Sequence, residues 1–263
     1  MKILVKIGGT LLDSPDSRHR LAREIGAMMD GGIQTLVVHG GGKQMTRYLE
    51  ERGIATEFIR GLRVTTAEVL DAVLKVFAGT VNHELVAAFA AAGIPAVGLS
   101  GMDGFLTEAE PLDPALGFVG KPVRSDATLV NLLCEHRYLP VVACVAGDRS
   151  GRFYNVNADQ MAVACAVAFE ADKLLFLTDV DGVRGTNGIC SKLSPSECQS
   201  LIIAEIASGG MRAKLDAAVD AVRRGVGAVV IAPGAQPGII DSLASGHAIG
   251  TVIVGETTTV GQP

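Results

Sequence analysis

Ile3-Leu4-Val5-Lys6-Ile7-Gly8-Gly9 opens the chain, and further on Gln34-Thr35-Leu36-Val37-Val38-His39 runs into Gly40-Gly41-Gly42. Each is a short apolar run stopped by glycines, the pattern of a buried strand that ends in a turn. Between them Leu21, Ile25, Met28 and Met29 recur at helical spacing, and Met45 and Leu49 do so after the second turn. Strand, glycine turn and helix, repeated, predict an α/β fold: a mainly parallel open sheet sandwiched between helices.

Outward from this opening the alternation continues. A helical stretch over Thr65–Ala92 carries Val69, Val73, Val76 and Phe77 on one stripe, but is apolar on more than one face. That predicts a subunit contact as well as a core contact. A strand at Ala96–Leu99 precedes a hairpin-and-loop excursion over 105–124, rich in Gly and Pro, then a helix near 126–137 and a strand over Val141–Cys144. The second half restarts with a helix over Met161–Phe169 and a strand over Lys173–Leu177. The turn Asp179-Val180-Asp181-Gly182, a helix after Gly209-Gly210 and strands at Ala228–Ile231 and Thr251–Val254 follow. The expected division is an N-terminal lobe over 1–170 and a C-terminal lobe over 171–255 sharing one sheet. A tail over 256–263 has little to pack.

Composition narrows the function. Of 263 residues, 48% are hydrophobic and only 4% aromatic, with 32 glycines, which suits Val/Ile/Leu strands under Ala-rich helices. A net charge of −5 supplies no basic field for nucleic acid. The five cysteines (Cys134, Cys144, Cys165, Cys190, Cys198) never form C-x-x-C, so no metal site is expected and a reducing cytoplasm is. Lys2–Ile7 leads into a glycine turn rather than a cleavage site, and no uninterrupted apolar run reaches the ~20 residues of a membrane span.

Lys6 is the first anomaly, a charge in an apolar strand at the end where open parallel sheets bind ligands. Alone it reads as a lysine snorkelling to solvent. Gly8-Gly9 beside it exposes backbone N–H groups and makes an anion site the other reading. Gly40-Gly41-Gly42 before a helix is either a tight turn or a second such cradle. It is no Walker A loop and no dinucleotide fingerprint. His39–Gly42 does spell the H-G-G-G of lipases, but Gly98-Leu99-Ser100-Gly101-Met102 lacks the last glycine of a nucleophile elbow, and that reading fails.

Asn157 reads as a helix N-cap and Asp159 as a dipole-complementing acid, which leaves Asn155 unexplained. Lys214, placed by sequence in the first turn after Gly209-Gly210, opposes the helix dipole unless an anion lies between. Arg63 is either a solvated loop arginine or a fork for a substrate carboxylate. Two lysines, two glycine cradles, an acid and an arginine suffice for phosphoryl transfer, which needs positioning and charge neutralisation above all. A carboxylate acceptor is already ionised at neutral pH and needs no catalytic base.

At these residues the chain resembles the amino acid kinase family, and within it the acetylglutamate kinase branch. The resemblance runs from Lys2 to about Val254. It is carried by Val5-Lys6-Ile7-Gly8-Gly9, Val38-His39-Gly40-Gly41-Gly42-Lys43, Gly61-Leu62-Arg63-Val64-Thr65, Gly98-Leu99-Ser100-Gly101, Asn155-Val156-Asn157-Ala158-Asp159, Thr178-Asp179-Val180-Asp181-Gly182 and Gly209-Gly210-Met211. The GLRVT and NVNAD segments are the more specific. The resemblance implies transfer of a phosphoryl group from ATP, with Mg²⁺, to the side-chain carboxylate of N-acetyl-L-glutamate, a step of arginine biosynthesis. It further implies that Lys6 and Lys214 neutralise the transferring group, that Asp159 orients both, and that the amides of Gly8, Gly9, Gly41 and Gly42 cradle its oxygens. Arg63 and Asn155 would hold the substrate's α-carboxylate and acylamino end. Thr178, Asp179, Gly182, Gly210 and Met211 would line the nucleotide site, and Mg²⁺ would be held by phosphates and water rather than by the protein.

Arg212-Ala213-Lys214 departs from the Ile-Pro-Lys of many members, and Ile7 replaces another apolar or aromatic residue; neither carries an implied role. The chain starts at its first strand, without the extra helix that links arginine-inhibited members into hexamers, which implies an arginine-insensitive homodimer joined through Thr65–Ala92. The alternatives are a kinase for an acylated or carrier-bound 2-aminoadipate, separated by one methylene worth ~1–3 kcal/mol, and a non-catalytic sensor on the same fold. The sensor reading predicts loss of Lys6, Lys214 or Asp159, and all three are present.

Overall fold

The computed structural model describes residues 1–247 and 249–256, so the tail expected over 256–263 lies, Glu256 apart, outside the described residues. The two opening runs form β1 (Lys2–Ile7) and β2 (Gln34–His39). A short hairpin, β3 (Phe58–Ile59) and β4 (Leu62–Arg63), precedes β5 (Ala96–Ser100), β6 (Thr107–Pro111) and β7 (Val119–Ser125). β8 (Leu139–Ala143), β9 (Val145–Gly147) and β10 (Phe153–Val156) follow, then β11 (Lys173–Thr178) and the ribbon β12 (Arg184–Gly185) with β13 (Gly188–Ile189). β14 (Lys192–Leu193), β15 (Ala228–Pro233) and β16 (Thr251–Val254) complete the strands.

Eight strands form one sheet in the order β14-β16-β15-β11-β1-β2-β8-β5, drawn from both halves of the chain. Every neighbouring pair is parallel except β15 and β16. The central strands are buried on both faces, which is why their sequences are near-continuous Leu, Val and Ile rather than alternating. The excursion expected over 105–124 is a hairpin of β6 and β7, and it closes with β9 and β10 into a small barrel that sequence reading did not anticipate.

Helix boundaries follow local chemistry. Ser14 caps the helix Pro15–Asp30, Asn157 caps Ala158–Phe169 by accepting from the amides of Asp159 and Gln160, and a Ser194/Glu197 capping box opens Pro195–Ile203. The stretch expected over Thr65–Ala92 is helical over Ala67–Ala91, with π spacing at Leu74–Val81. By length and composition alone this 25-residue helix could cross a membrane, but half of its apolar window is buried within the fold. Core packing therefore accounts for that buried half. The thiols of Cys144 and Cys165, also inside, are pushed up to about 12 by desolvation and behave as small hydrophobes.

Candidate active site

Parallel strands deliver their C-terminal ends, and the turns that follow, to one edge of the sheet. β1 and β11 lie side by side there, so Gly8, Gly9, Thr178 and Asp179 share the floor of one cleft of about 830 Å³. Gly42 and Lys43 open the helix Gly42–Glu50 into this cleft, and Gly210, Met211 and Lys214 enter from the helix Gly209–Arg223. Two helix N-termini thus face one space, and their unpaired N–H groups and dipoles favour an anion.

Lys6 does not snorkel. It is 7% exposed, between Val38 of β2 and Phe176 of β11, and its Nζ lies 2.7 Å from Asp159 Oδ1. That approach is an ion pair rather than a well-aligned hydrogen bond, whereas Lys214 Nζ donates to Asp159 Oδ2 at 3.0 Å. Asp159 therefore bridges two cations that come from elements far apart in sequence. Burial would raise its carboxyl, but the charges of Lys6 and then Lys214 outweigh burial and hold it below the ordinary carboxylate range. The helix of Lys214 begins at Gly209 itself, which corrects its expected place in the first turn: Lys214 lies in the second, where the dipole has faded. Its Nζ is held there by Asp159.

A smaller cavity of about 180 Å³ joins the cleft at Gly42, Phe58 and Arg63, and is lined further by Gly41, Cys144 and Asn155. Arg63 stacks on Phe58, its guanidinium 4.6 Å from the ring centre. Its Nη2 donates to Thr46 Oγ1 at 2.7 Å, and that hydroxyl donates to the Gly42 carbonyl at 2.9 Å. Its Nη1 is buried and has no partner among the described residues, so the fork is held with one prong free. Desolvation lowers the guanidinium pKa, partly offset by the charge of Glu50. Asn155 Nδ2 donates to Thr65 Oγ1, and Thr65 Oγ1 in turn donates to the Arg63 carbonyl.

Most sequence-derived candidates meet here, and two do not behave as expected. The Gly8 N–H already donates to Leu177 O at 3.0 Å, extending the β1–β11 ladder, so it is not free for an oxygen of a ligand. Gly182 lies away from the cleft lining, packed so closely on β16 that a Cβ would sit 2.8 Å from Thr251 Oγ1. Gly41 has a packing reason to be glycine, because a Cβ there would lie 2.9 Å from Phe77. Sequence reading missed Thr46, Thr65 and Phe58. The i, i+4 spacing of Gly42 and Thr46 was the one available signal, since a threonine there can bond back along its own helix. Among the described residues no group of three or more His, Cys, Asp or Glu side chains could hold a metal.

An arrangement of two cations on one buried carboxylate, with amide-rich turns between them, can neutralise a phosphoryl group in flight. The chain is 58% identical over 255 residues to the acetylglutamate kinase of Solibacter usitatus, covering 97% of this chain and 99% of that one. It is 44% identical to the acetylglutamate kinase of Acidobacterium capsulatum, over 93% and 95%. The crystal structure of N-acetylglutamate synthase from Neisseria gonorrhoeae, complexed with coenzyme A and N-acetyl-glutamate, superimposes with a TM-score of 0.86 at 29% identity, over 97% of this chain and 60% of that one. The model of the amino acid kinase family matches residues 1–233, and with these relatives it shows that the chain belongs to the amino acid kinase family.

Proposed function

We infer that the chain transfers the γ-phosphoryl group of ATP to the side-chain carboxylate of N-acetyl-L-glutamate, giving the acyl phosphate and ADP, as a step of arginine biosynthesis. The observation that carries this is the Lys6–Asp159–Lys214 bridge, whose two lysines line the large cleft that the small cavity joins at Gly42, Phe58 and Arg63. The small cavity, with the free prong of Arg63 and the amide of Asn155, takes the acylated amino acid. The large cleft, lined by Thr178, Asp179, Gly210 and Met211, takes the nucleotide. Lys6 and Lys214 then stand on either side of the transferring group, and the amides of Gly9, Gly41 and Gly42 receive its oxygens. No protein base is needed, because the acceptor carboxylate arrives ionised.

Mg²⁺ belongs to this reading as part of the nucleotide. Asp159 is occupied by two lysines, and no metal-binding cluster occurs among the described residues, so nucleotide phosphates and water would supply its ligands. It would screen the phosphate charge. The homodimer fits the same reading: the edge strand β5 is only half-buried along its length, and half of the apolar window of the Ala67–Ala91 helix packed on it is not buried within the fold. Five free cysteines accord with a reducing, cytoplasmic setting. The small cavity is lined by the N-terminal lobe, whereas the large cleft is lined by both, with Thr178, Asp179, Gly210 and Met211 coming from the C-terminal lobe proposed to hold the nucleotide.

Trapping the product with hydroxylamine tests the reaction. With ATP and Mg²⁺, hydroxamate should form from N-acetyl-L-glutamate and not from glutamate or aspartate. Preferential reaction of N-acetyl-2-aminoadipate would move the enzyme to another pathway, and silence on all substrates with ATP still bound would leave a sensor. Arg63→Ala should raise the KM for N-acetylglutamate by roughly tenfold or more, the worth of a charged hydrogen bond, with a smaller effect on kcat. An unchanged KM would remove Arg63 from the carboxylate site.

A further inference from the structure

At the end of β2 the His39 ring is completely buried, and the reaction described above gives it no task. Its Nδ1 lies 2.8 Å from the carbonyl oxygen of Gly40, which can only accept, so Nδ1 carries a proton. Its Nε2 lies 3.0 Å from the Asn82 amide nitrogen, which also donates to Val141 O at 2.9 Å. A donor on that side requires a bare Nε2. The ring is therefore neutral and held as the Nδ1–H tautomer, in keeping with a pKa lowered to about 4 by desolvation against the opposing Gly40 bond.

Asn82 is itself placed with care. It follows directly on the π-spaced turns Leu74–Val81, whose altered phase brings its side chain inside, where it is 2% exposed. Gly98 on β5 leaves it room, since a Cβ there would lie 2.0 Å from Asn82 Oδ1. Phe77, in the same π segment, packs against Gly41. One irregular stretch of helix thus supports the glycine turn at two points.

The peptide between Gly40 and Gly41 is planar and trans, so its carbonyl and its N–H point in opposite directions. Holding the Gly40 oxygen on His39 aims the Gly41 N–H the other way, and among the described residues no protein acceptor takes that N–H. We propose that His39, set by Asn82, is a positioning residue that locks the Gly40–Gly41 peptide so that the Gly41 N–H faces the transferring phosphoryl group. This rests on the assignment of Gly41 to the phosphoryl cradle.

Two isosteric substitutions separate positioning from bulk. His39→Asn keeps an amide donor where Nδ1 stands, and His39→Gln puts it where Nε2 stands. Both remove the ring, so both lower the thermal midpoint, but only H39N can hold the Gly40 oxygen. H39Q should lose roughly 10- to 100-fold in kcat with KM values nearly unchanged, as for a small misplacement of a catalytic donor, and H39N should recover most of that loss. Equal kcat in the two folded variants would overturn the proposal. So would an imidazole nitrogen spectrum of the wild type showing Nε2–H. Should the wild type form no acyl phosphate, the functional reading fails by itself. The Gly41 amide resonance then still decides the positioning: displaced in H39Q and retained in H39N supports it, and alike in both overturns it.

Discussion

Lys6→Ala is expected to lower kcat by at least ~10²-fold, the usual cost of removing one preorganised charge from a phosphoryl transition state. The KM for N-acetylglutamate should move far less, because Lys6 does not line the small cavity that holds Arg63 and Asn155. The reasoning starts from β1, the strand between β2 and β11 at the centre of the sheet. A cation there can be tolerated only with a partner, and Asp159 supplies it at 2.7 Å. In the variant Asp159 keeps Lys214, so the fold survives while the positive charge over the Gly9 turn is lost. Lys214→Ala should behave alike, and the double variant should be little worse than either single one, as for groups that act as a unit. Steady-state kinetics with ATP and N-acetylglutamate decide it. A kcat within about threefold of wild type would remove Lys6 from the transition state, since such a loss is smaller than one hydrogen bond.

How much of this could be read in the chain depends on the range of the interaction. Lys6 was legible because a charge inside an apolar strand is a local contradiction, and the adjoining glycines were legible as turns. The parallel sheet followed from the same local alternation. The ion pairs of Asp159 were expected only through the family resemblance and not from local pattern: its position near a helix N-terminus already had a sufficient local explanation, and its partners lie on β1 and on the helix Gly209–Arg223. For Lys214 the local argument was misleading, since the helix starts at the glycines rather than after them. Gly8 and Gly182 failed for a related reason. Glycine marks unusual backbone without saying which neighbour demands it, and here those neighbours are Leu177 O and Thr251. The barrel of β6, β7, β9 and β10 depends on pairings between short, partly polar strands, which carry little periodicity for a sequence to display.

Asp159→Asn separates the structural from the chemical role of the bridge, and its expected effect is large on both. The substitution keeps the shape but leaves two lysines, 9% and 19% exposed at their side chains, facing a neutral amide. Breaking a buried pair by removing one charge costs about 3–5 kcal/mol. At the lower figure, a chain of this size should lose roughly 6–12 °C in thermal midpoint. The pH dependence identifies the cause. Asp159 has a depressed folded pKa, so its contribution is complete above the unfolded carboxylate value of ~3.9 and is lost as pH falls through the folded value. The stability gap between wild type and D159N should therefore be widest near neutrality and close only below about pH 4. A gap that persists on further acidification through that range would mean the loss comes from packing, not from charge. Activity at neutral pH should fall as well, because the two ammonium groups lose the carboxylate that holds them in place beside the transferring group. Replacing Asp159 by glutamate restores the charge but lengthens the arm by one methylene. It should regain most of the stability and only part of kcat, since the two ammonium groups must stand on either side of one phosphoryl group and tolerate little displacement.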